Sequence, residues 1–320
     1  ATTSLGAHLK AKYIERQVEK AESVYRFLCS GTCGLTSNYL DDLLRPLQEG
    51  GSAYQLKILS YFSFLLDKTW NEDDVDDYID TWPESWEPED LSKMDKVRRF
   101  RTQILKEVEE LWELTSDDEV RTAIMAVVYS GHPNKPELLA TVRSKLEAGN
   151  LSEVALDKLS RILHSFLKSE EPVSLKTQAA NLLLFNVAGE QHHLAALRFL
   201  RQYVEGGSLN YAEQGSLATV MAQFAGEASG ADEQVAAWYL VFLLDPTRID
   251  DLEVQKQVLA HLRSIVEQEV VPEQGKQLML AALDRFADKA KTSDKLKKAA
   301  AYLVFRLRNP GETPTWEKIE

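Results

Sequence analysis

Six histidines, two cysteines and one dense run of acids are the residues in this 320-residue chain whose types could do chemistry. His8, His132, His164, His192, His193 and His261 stand singly or as one adjacent pair, and none sits in H-E-x-x-H or beside a cysteine pair. Neighbours on a helix point about 100° apart, so His192 and His193 cannot share one metal ion. Cys29 and Cys33 are separated by Ser-Gly-Thr where an apolar-periodic stretch ends. A zinc site would need two further soft ligands nearby, and a redox pair would follow a strand as C-x-x-C. Structural thiols, or a C-x-x-x-C disulfide or regulatory pair, are the readings that remain. The nucleophile-elbow, P-loop and dinucleotide-binding glycine patterns are missing from the sequence. The expectation is therefore no catalytic residue, no metal and no cofactor.

The acids are concentrated in one place. Residues 71–90 hold ten Asp and Glu and no Lys or Arg, so they carry ten of the chain's thirteen net negative charges. Within and beside this run lie Trp70, Trp82 and Trp86, with Pro83 and Pro88. Asp73, Asp74, Asp76, Asp77 and Asp80, with Trp82 and Trp86, form the candidate partner-binding set. Carboxylates steer a basic segment toward the surface, and indole rings supply anchoring area once it arrives. The plainer reading is a segment folded across the protein's own surface, its acids hydrated or paired with Arg98, Arg99 and Arg101. A calcium loop does not fit, because Asp73-Asp74-Val75-Asp76-Asp77 lacks the D-x-D-x-D-G register and the distal Glu.

A second charge asymmetry lies near the C-terminus. From Arg285 to Arg308 there are eight Lys and Arg against Asp288 and Asp294. Phosphate contacts need only cations along a face, so a nucleic-acid-binding array is one alternative function. The acidic net charge and the lack of aromatic residues interleaved with the lysines favour a solvated basic face instead.

The elements that must position these residues are helical. Leu9, Tyr13, Val18, Ala21, Tyr25 and Leu28 recur at helical spacing from about Gly6 to Cys29. Tyr39–Gln48, Ala53–Lys68, Glu89–Leu114 and Asp118–Ser130 read the same way. Further helices are expected to begin near Asp117, Pro136, Leu151, Pro172, Glu190, Asn210, Asp232, Asp251, Glu273 and Ser293. Between them fall Gly149-Asn150, Gly189, Gly206-Gly207, Gly230, Pro246 and Pro272, residues that stop helices. Asp117, Ser152 and Ser293 are candidate N-caps. Nothing alternates with a period of two between hairpin signals, so the class is all-α. Ala236–Leu244 is apolar on more than one face and must be enclosed by neighbouring helices.

The starts are about 15 to 22 residues apart, so pairs of helices repeat at about 40, the length of two-helix HEAT or armadillo units. The run Ser116-Asp117-Asp118-Glu119-Val120-Arg121-Thr122-Ala123-Ile124-Met125 resembles the start of a second HEAT helix, and Pro172–Leu183 and Asp245–Leu259 are similar in outline. The first run falls on one member of the helix pair and the other two on the opposite member, so generic stacked α-hairpins meet the same pattern. The resemblance is to the HEAT/armadillo superfamily and covers Asp117 to Leu307. It implies a right-handed α-α superhelix, a solenoid of antiparallel helix pairs, that binds other proteins.

Three regions are expected: an N-terminal helical region over 1–68, an acidic Trp-bearing excursion over 69–90, and a helical repeat array over 91–320. Apolar residues at 44% and charged residues at 27% describe a folded chain rather than a disordered one. The longest apolar stretches, such as Trp238–Leu244, fall far short of the roughly 20 residues that span a membrane. Residues Thr2–Lys12 have no apolar h-region, so no retained signal peptide is expected. Two cysteines make no disulfide scaffold, which points to an intracellular, cytoplasmic setting with the nucleus also open. The expected function is a non-enzymatic adaptor, scaffold or assembly subunit with a protein partner. An all-α enzyme with scattered catalytic residues is the other alternative.

Overall fold

The computed structural model of the protein describes residues 2–29, 42–67, 93–289 and 293–312. Among the described residues there are thirteen α-helices and one 3-10 turn and no strand, so the chain is all-α. They are α1 (Thr2–Cys29), α2 (Ser52–Asp67), α3 (Lys93–Leu114), α4 (Asp118–Gly131), α5 (Lys135–Ala148), α6 (Glu153–Lys168) and α7 (Val173–Asn186). After them come α8 (Glu190–Glu205), α9 (Tyr211–Glu227), α10 (Ala231–Leu244), α11 (Leu252–Gln268), α12 (Glu273–Ala287) and α13 (Asp294–Arg308). From α4 onward every start falls within two residues of the position its punctuation indicates.

The caps explain that agreement. Asp117 accepts from the backbone N–H groups of Glu119 and Val120, and Ser152 and Ser293 accept from Ala155 and Leu296. Asn210 closes a reciprocal capping box with Glu213 at the head of α9. Gly189 has φ 124°, a backbone region that L side chains rarely adopt, and it sits where α7 gives way to α8. Among the described residues, the helix expected over Tyr39–Gln48 is one helical turn at 42–44 followed by turns. Pro46 disfavours helical backbone at Arg45, and the hydrogen bonds there are of i to i−3 type, Leu47 to Leu44 and Glu49 to Pro46.

The chain divides into two compact units: residues 1–142 with 157–165, and residues 143–156 with 166–320. In the first, α4 packs against both α2 and α3. Ile58, Leu59, Phe62 and Leu66 of α2, Ile104, Val108 and Leu111 of α3, and Val120, Ile124 and Val127 of α4 are all buried. Tyr25 of α1 meets Tyr61 of α2 edge-on, with ring centroids 5.9 Å apart. Lys135 is itself buried and closes the end of α4, its Nζ donating to the carbonyls of Tyr129 (2.6 Å) and His132 (2.8 Å). A cation suits that position because helix C-termini are electronegative.

In the second unit α8, α10 and α12 pack against one another. α7 packs on α8, α9 on α10, and α11 on both α10 and α13, while α13 covers α12. The hub is α10, whose Ala237 and whole run Tyr239–Leu244 are buried. An element so apolar is stable only when flanked on several sides. The Phe242 and Phe286 rings, 5.5 Å apart, join α10 to α12.

Phe242→Ala should therefore destabilise the protein by about 3–5 kcal/mol, as buried Phe truncations do. Asn210→Ala, which removes one cap, should cost about 1 kcal/mol. Urea midpoints at constant slope measure both, and a Phe242→Ala loss no larger than the cap loss would contradict the hub role.

Candidate functional site

The acidic candidate set of Asp73, Asp74, Asp76, Asp77, Asp80, Trp82 and Trp86 lies outside the described residues. So do Cys33 and the side chain of Cys29. Of the nearby basic residues, Arg98 pairs with Asp95 at 3.1 Å within its own helix. Burial works against the Arg101 cation, and Asp67 supports it. Among the described residues no group of three or more His, Cys, Asp and Glu comes close enough to hold a metal ion.

The adjacent histidines separate as helical geometry requires. His193 turns inward, with Nδ1 2.6 Å from Glu233 and Nε2 2.6 Å from the carbonyl oxygen of Val187. Both ring nitrogens thus face acceptors, and the edge of the ring meets Phe224. The second carboxylate oxygen of Glu233 accepts from the Gly230 N–H and so belongs to the start of α10. A general base needs a nitrogen free to take a substrate proton, and His193 has none. The pair ties α8 to α10.

A larger polar cluster links α8, α10 and the end of α11. Arg201 donates to Glu205 at 2.8 Å and grips Glu269 with both terminal nitrogens, at 2.6 and 3.4 Å. Buried Tyr239 donates its hydroxyl to Glu205 at 3.0 Å and lies under the Arg201 guanidinium. Burial and the Glu205 carboxylate hold the Tyr239 phenol well above its usual range, so it stays a donor. His261 packs edge-on against Tyr239 with ring centroids 5.2 Å apart. Burial, then the Arg201 cation, pushes its imidazole below its usual range, while Glu269 and Asp232 pull the other way.

The first unit has its own charged cluster, built on buried Trp112 of α3. Arg121 and Lys158 each stand 5.1 Å from its ring and Arg161 5.9 Å. Arg161 also donates to Asp118 and Thr122, both at 2.6 Å, and to Asp157 at 3.0 Å. The indole face and these acceptors take up the guanidinium, which holds α6 to the head of α4.

Open surface that could receive a partner lies elsewhere. Between α12 and α13 runs a groove of about 400 Å3 floored by Leu283, Ala287, Ala301, Val304 and Phe305. Lys297 and Arg308 stand on its rim with Asp284. A second groove, of about 490 Å3, lies between α1 and the turns that precede α2. Ala11, Ile14 and Val18 floor it, and Glu15, Glu19 and Glu49 rim it.

No protein-family model, curated protein or solved structure matches this chain. The buried clusters and the grooves are its evident chemical resources, and the sequence signals for them are unequal. The basic run ahead of Arg308 marks one groove rim. The Arg201 cluster carries no short-range signal, since Glu205 and Tyr239 are 34 residues apart and Arg201 and Glu269 are 68. The basic run is also not one free stripe: Lys289 is spent on the Thr247 and Ile249 carbonyls and Asp250, all within 3.0 Å.

The His261 shift gives a pH dependence with a definite sign. Its folded pKa lies below the unfolded value of about 6.5, so just below that pH the unfolded chain binds more protons. This contribution is complete above about pH 6.5 and is lost as the pH falls toward the folded pKa. Urea unfolding between about pH 7.5 and 5.5 should show falling stability, and a flatter fall in His261→Gln. An equally steep fall in the variant would assign the dependence to other groups.

Proposed function

We propose that this protein is a non-enzymatic interaction module, an adaptor, scaffold or assembly subunit, built as a right-handed α-α superhelix of HEAT- or armadillo-like helix pairs. The observation that supports the reading is the packing within residues 166–320, where α8, α10 and α12 pack on one another, α9 and α11 flank α10, and α13 packs on α11 and α12. Stacked pairs of this kind bury a continuous core and leave a long helical surface for a partner. The commitment of His193, Glu205, Arg201 and Tyr239 to intramolecular partners supports binding over catalysis. A cytoplasmic setting accords with the sparse cysteines.

The proposed partner presents a basic segment. Ten carboxylates in residues 71–90, with Trp82 and Trp86 among them, would attract such a segment and give it apolar anchorage. The rest of the chain is close to neutral, which localises the attraction.

The test is an affinity capture with the whole chain, followed by titration of the captured protein over a range of salt. The wild type should bind a Lys- and Arg-rich partner with affinity that falls as salt rises. Replacing Asp73, Asp74, Asp76 and Asp77 with Asn should weaken binding by roughly tenfold, equivalent to about 1.4 kcal/mol, and flatten the salt dependence. Unchanged affinity in that variant would remove the acidic segment from the binding surface, and catalytic turnover by the purified chain would overturn the reading as a whole.

A further inference from the structure

The polar cluster of the second unit occurs twice. Arg201, Glu205 and Tyr239 have counterparts 62 or 63 positions later in Arg263, Glu267 and Tyr302. Arg263 donates to Glu267 at 2.9 Å, the Tyr302 hydroxyl donates to Glu267 at 3.0 Å, and the Arg263 guanidinium stands 5.1 Å from the Tyr302 ring. The loop contact recurs as well, for Gln255 donates to the Ile249 carbonyl at 2.7 Å where His193 meets that of Val187 at 2.6 Å. Helices α11, α12 and α13 thus repeat α8, α9 and α10 in order and in contacts.

A seven-residue pattern extends the series. Ala179–Phe185 of α7, Ala236–Phe242 of α10 and Ala299–Phe305 of α13 each begin Ala-Ala, continue with an apolar run and end in Phe. The first two of these Phe residues meet a ring from a later helix: Phe185 meets Phe224 of α9 at 5.8 Å, and Phe242 meets Phe286 of α12 at 5.5 Å. Phe224 and Phe286 are themselves 62 positions apart, so they are the same residue of the repeating set. Among the described residues no ring meets the third, Phe305. It is half-buried, and with Val304 it lines the groove of about 400 Å3 between α12 and α13. The matching Val241 and Phe242 are fully buried, since α12 packs on α10 there. The groove is the stacking face of the last helix set, left open.

What fills the equivalent place is seen in α9 and α12. Both enter the core with one stripe at i, i+4 and i+7: Leu217, Met221 and Phe224 in α9, and Met279, Leu283 and Phe286 in α12, all buried. α12 adds two cations suited to the end of α10. Arg285 donates to the Leu244 carbonyl, and Lys289 to Asp250 and the Thr247 and Ile249 carbonyls. The rim beside α13 differs in charge, because Arg308 stands where α10 is followed by Asp245 and Lys297 where α10 has Gln234, with Asp284 on the α12 wall. A helix with the cations of α12 would meet Arg308 there, so carboxylates suit that place better.

We propose that the α12–α13 groove docks an amphipathic α-helix of a different protein, with apolar residues at i and i+4, an aromatic ring at i+7, and carboxylates where α12 carries Arg285 and Lys289. A second copy cannot supply it from α9 or α12, since both are seated in that copy's own core. The inference rests on the reading of the protein as an interaction module, but not on the acidic segment.

Fluorescence anisotropy of a labelled peptide against the full chain tests it. The probe is the sequence of residues 273–289 carrying Arg285→Glu and Lys289→Glu, which keeps the stripe and supplies the acids. It should bind saturably, and a further Phe286→Ala change in the peptide should weaken binding at least about tenfold. In the protein, Ala301→Glu puts a carboxylate on the groove floor and should weaken the probe at least about tenfold, with circular dichroism like that of the wild type. Lys297→Glu with Arg308→Glu, at the rim, should turn the preference toward the unaltered 273–289 peptide, whose Arg285 and Lys289 then meet acids. No saturable binding of the probe up to about 1 mM, full binding after Phe286→Ala or Ala301→Glu, or an unchanged preference after the charge reversal would each overturn the proposal. Failure here is distinguishable from failure of the interaction reading, because capture of a basic partner through residues 71–90 uses neither the peptide nor the groove.

Discussion

The apolar surface of α10 is the constraint on which the second unit depends. Burying a Val, Leu or Phe side chain contributes about 1.5–3 kcal/mol, and α10 carries Leu240, Val241, Phe242, Leu243 and Leu244 in succession. Five consecutive residues sweep round the whole circumference of a helix, so no single neighbour can cover them. Enclosure needs α8, α9, α11 and α12 together, and all four pack against α10. That enclosure also decides where polar groups must pair. Tyr239 lies between apolar neighbours, and its buried hydroxyl requires an acceptor. Glu205 supplies the acceptor, and Arg201 with its grip on Glu269 balances the resulting carboxylate.

The buried polar chemistry of this protein is thus a consequence of its packing. His193 with Glu233, Tyr239 with Glu205, Arg201 with Glu269, and Arg161 with Asp118 each join segments that are distant in sequence. For the buried pairs, His193 with Glu233 and Tyr239 with Glu205, removing one member strands the other without a partner in a site of low dielectric constant, which is the costly outcome. These groups therefore fix helix position and have little capacity left for a substrate. What the packing leaves unfilled lies at the surface, in two apolar grooves, one rimmed by Glu15, Glu19 and Glu49 and the other by Lys297, Arg308 and Asp284.

Charge is distributed on a similar division of labour. The carboxylates of residues 71–90 form a local field that reaches about one Debye length at physiological salt, near 8 Å. Charges at a groove rim would act only at contact. A protein whose proposed work is association can draw on both: a field that gathers a partner and short-range pairs that fix its register.

The sequence by itself determined the all-α class, the boundaries of the helices from α4 onward and their caps. Those depend on interactions within four residues, such as Asp117 with Glu119 and Val120, or Asn210 with Glu213, so local spacing carries the information. It also determined that His192 and His193 would diverge, because helical pitch alone forces that. The same local logic misjudged Tyr39–Gln48, where the constraint that Pro46 places on Arg45 outweighs the apolar spacing. Only the tertiary structure decided that His193 would meet Glu233, that Tyr239 would meet Glu205, and that Lys135 would be buried at the end of α4. The two grooves belong to the same category. The run of cations ending at Arg308 is plain in the sequence, but Leu283, which floors the groove beside it, comes from the other helix of the pair. Contacts between helices follow from how wide apolar faces share out their burial, and that is settled jointly by all the neighbours of a helix.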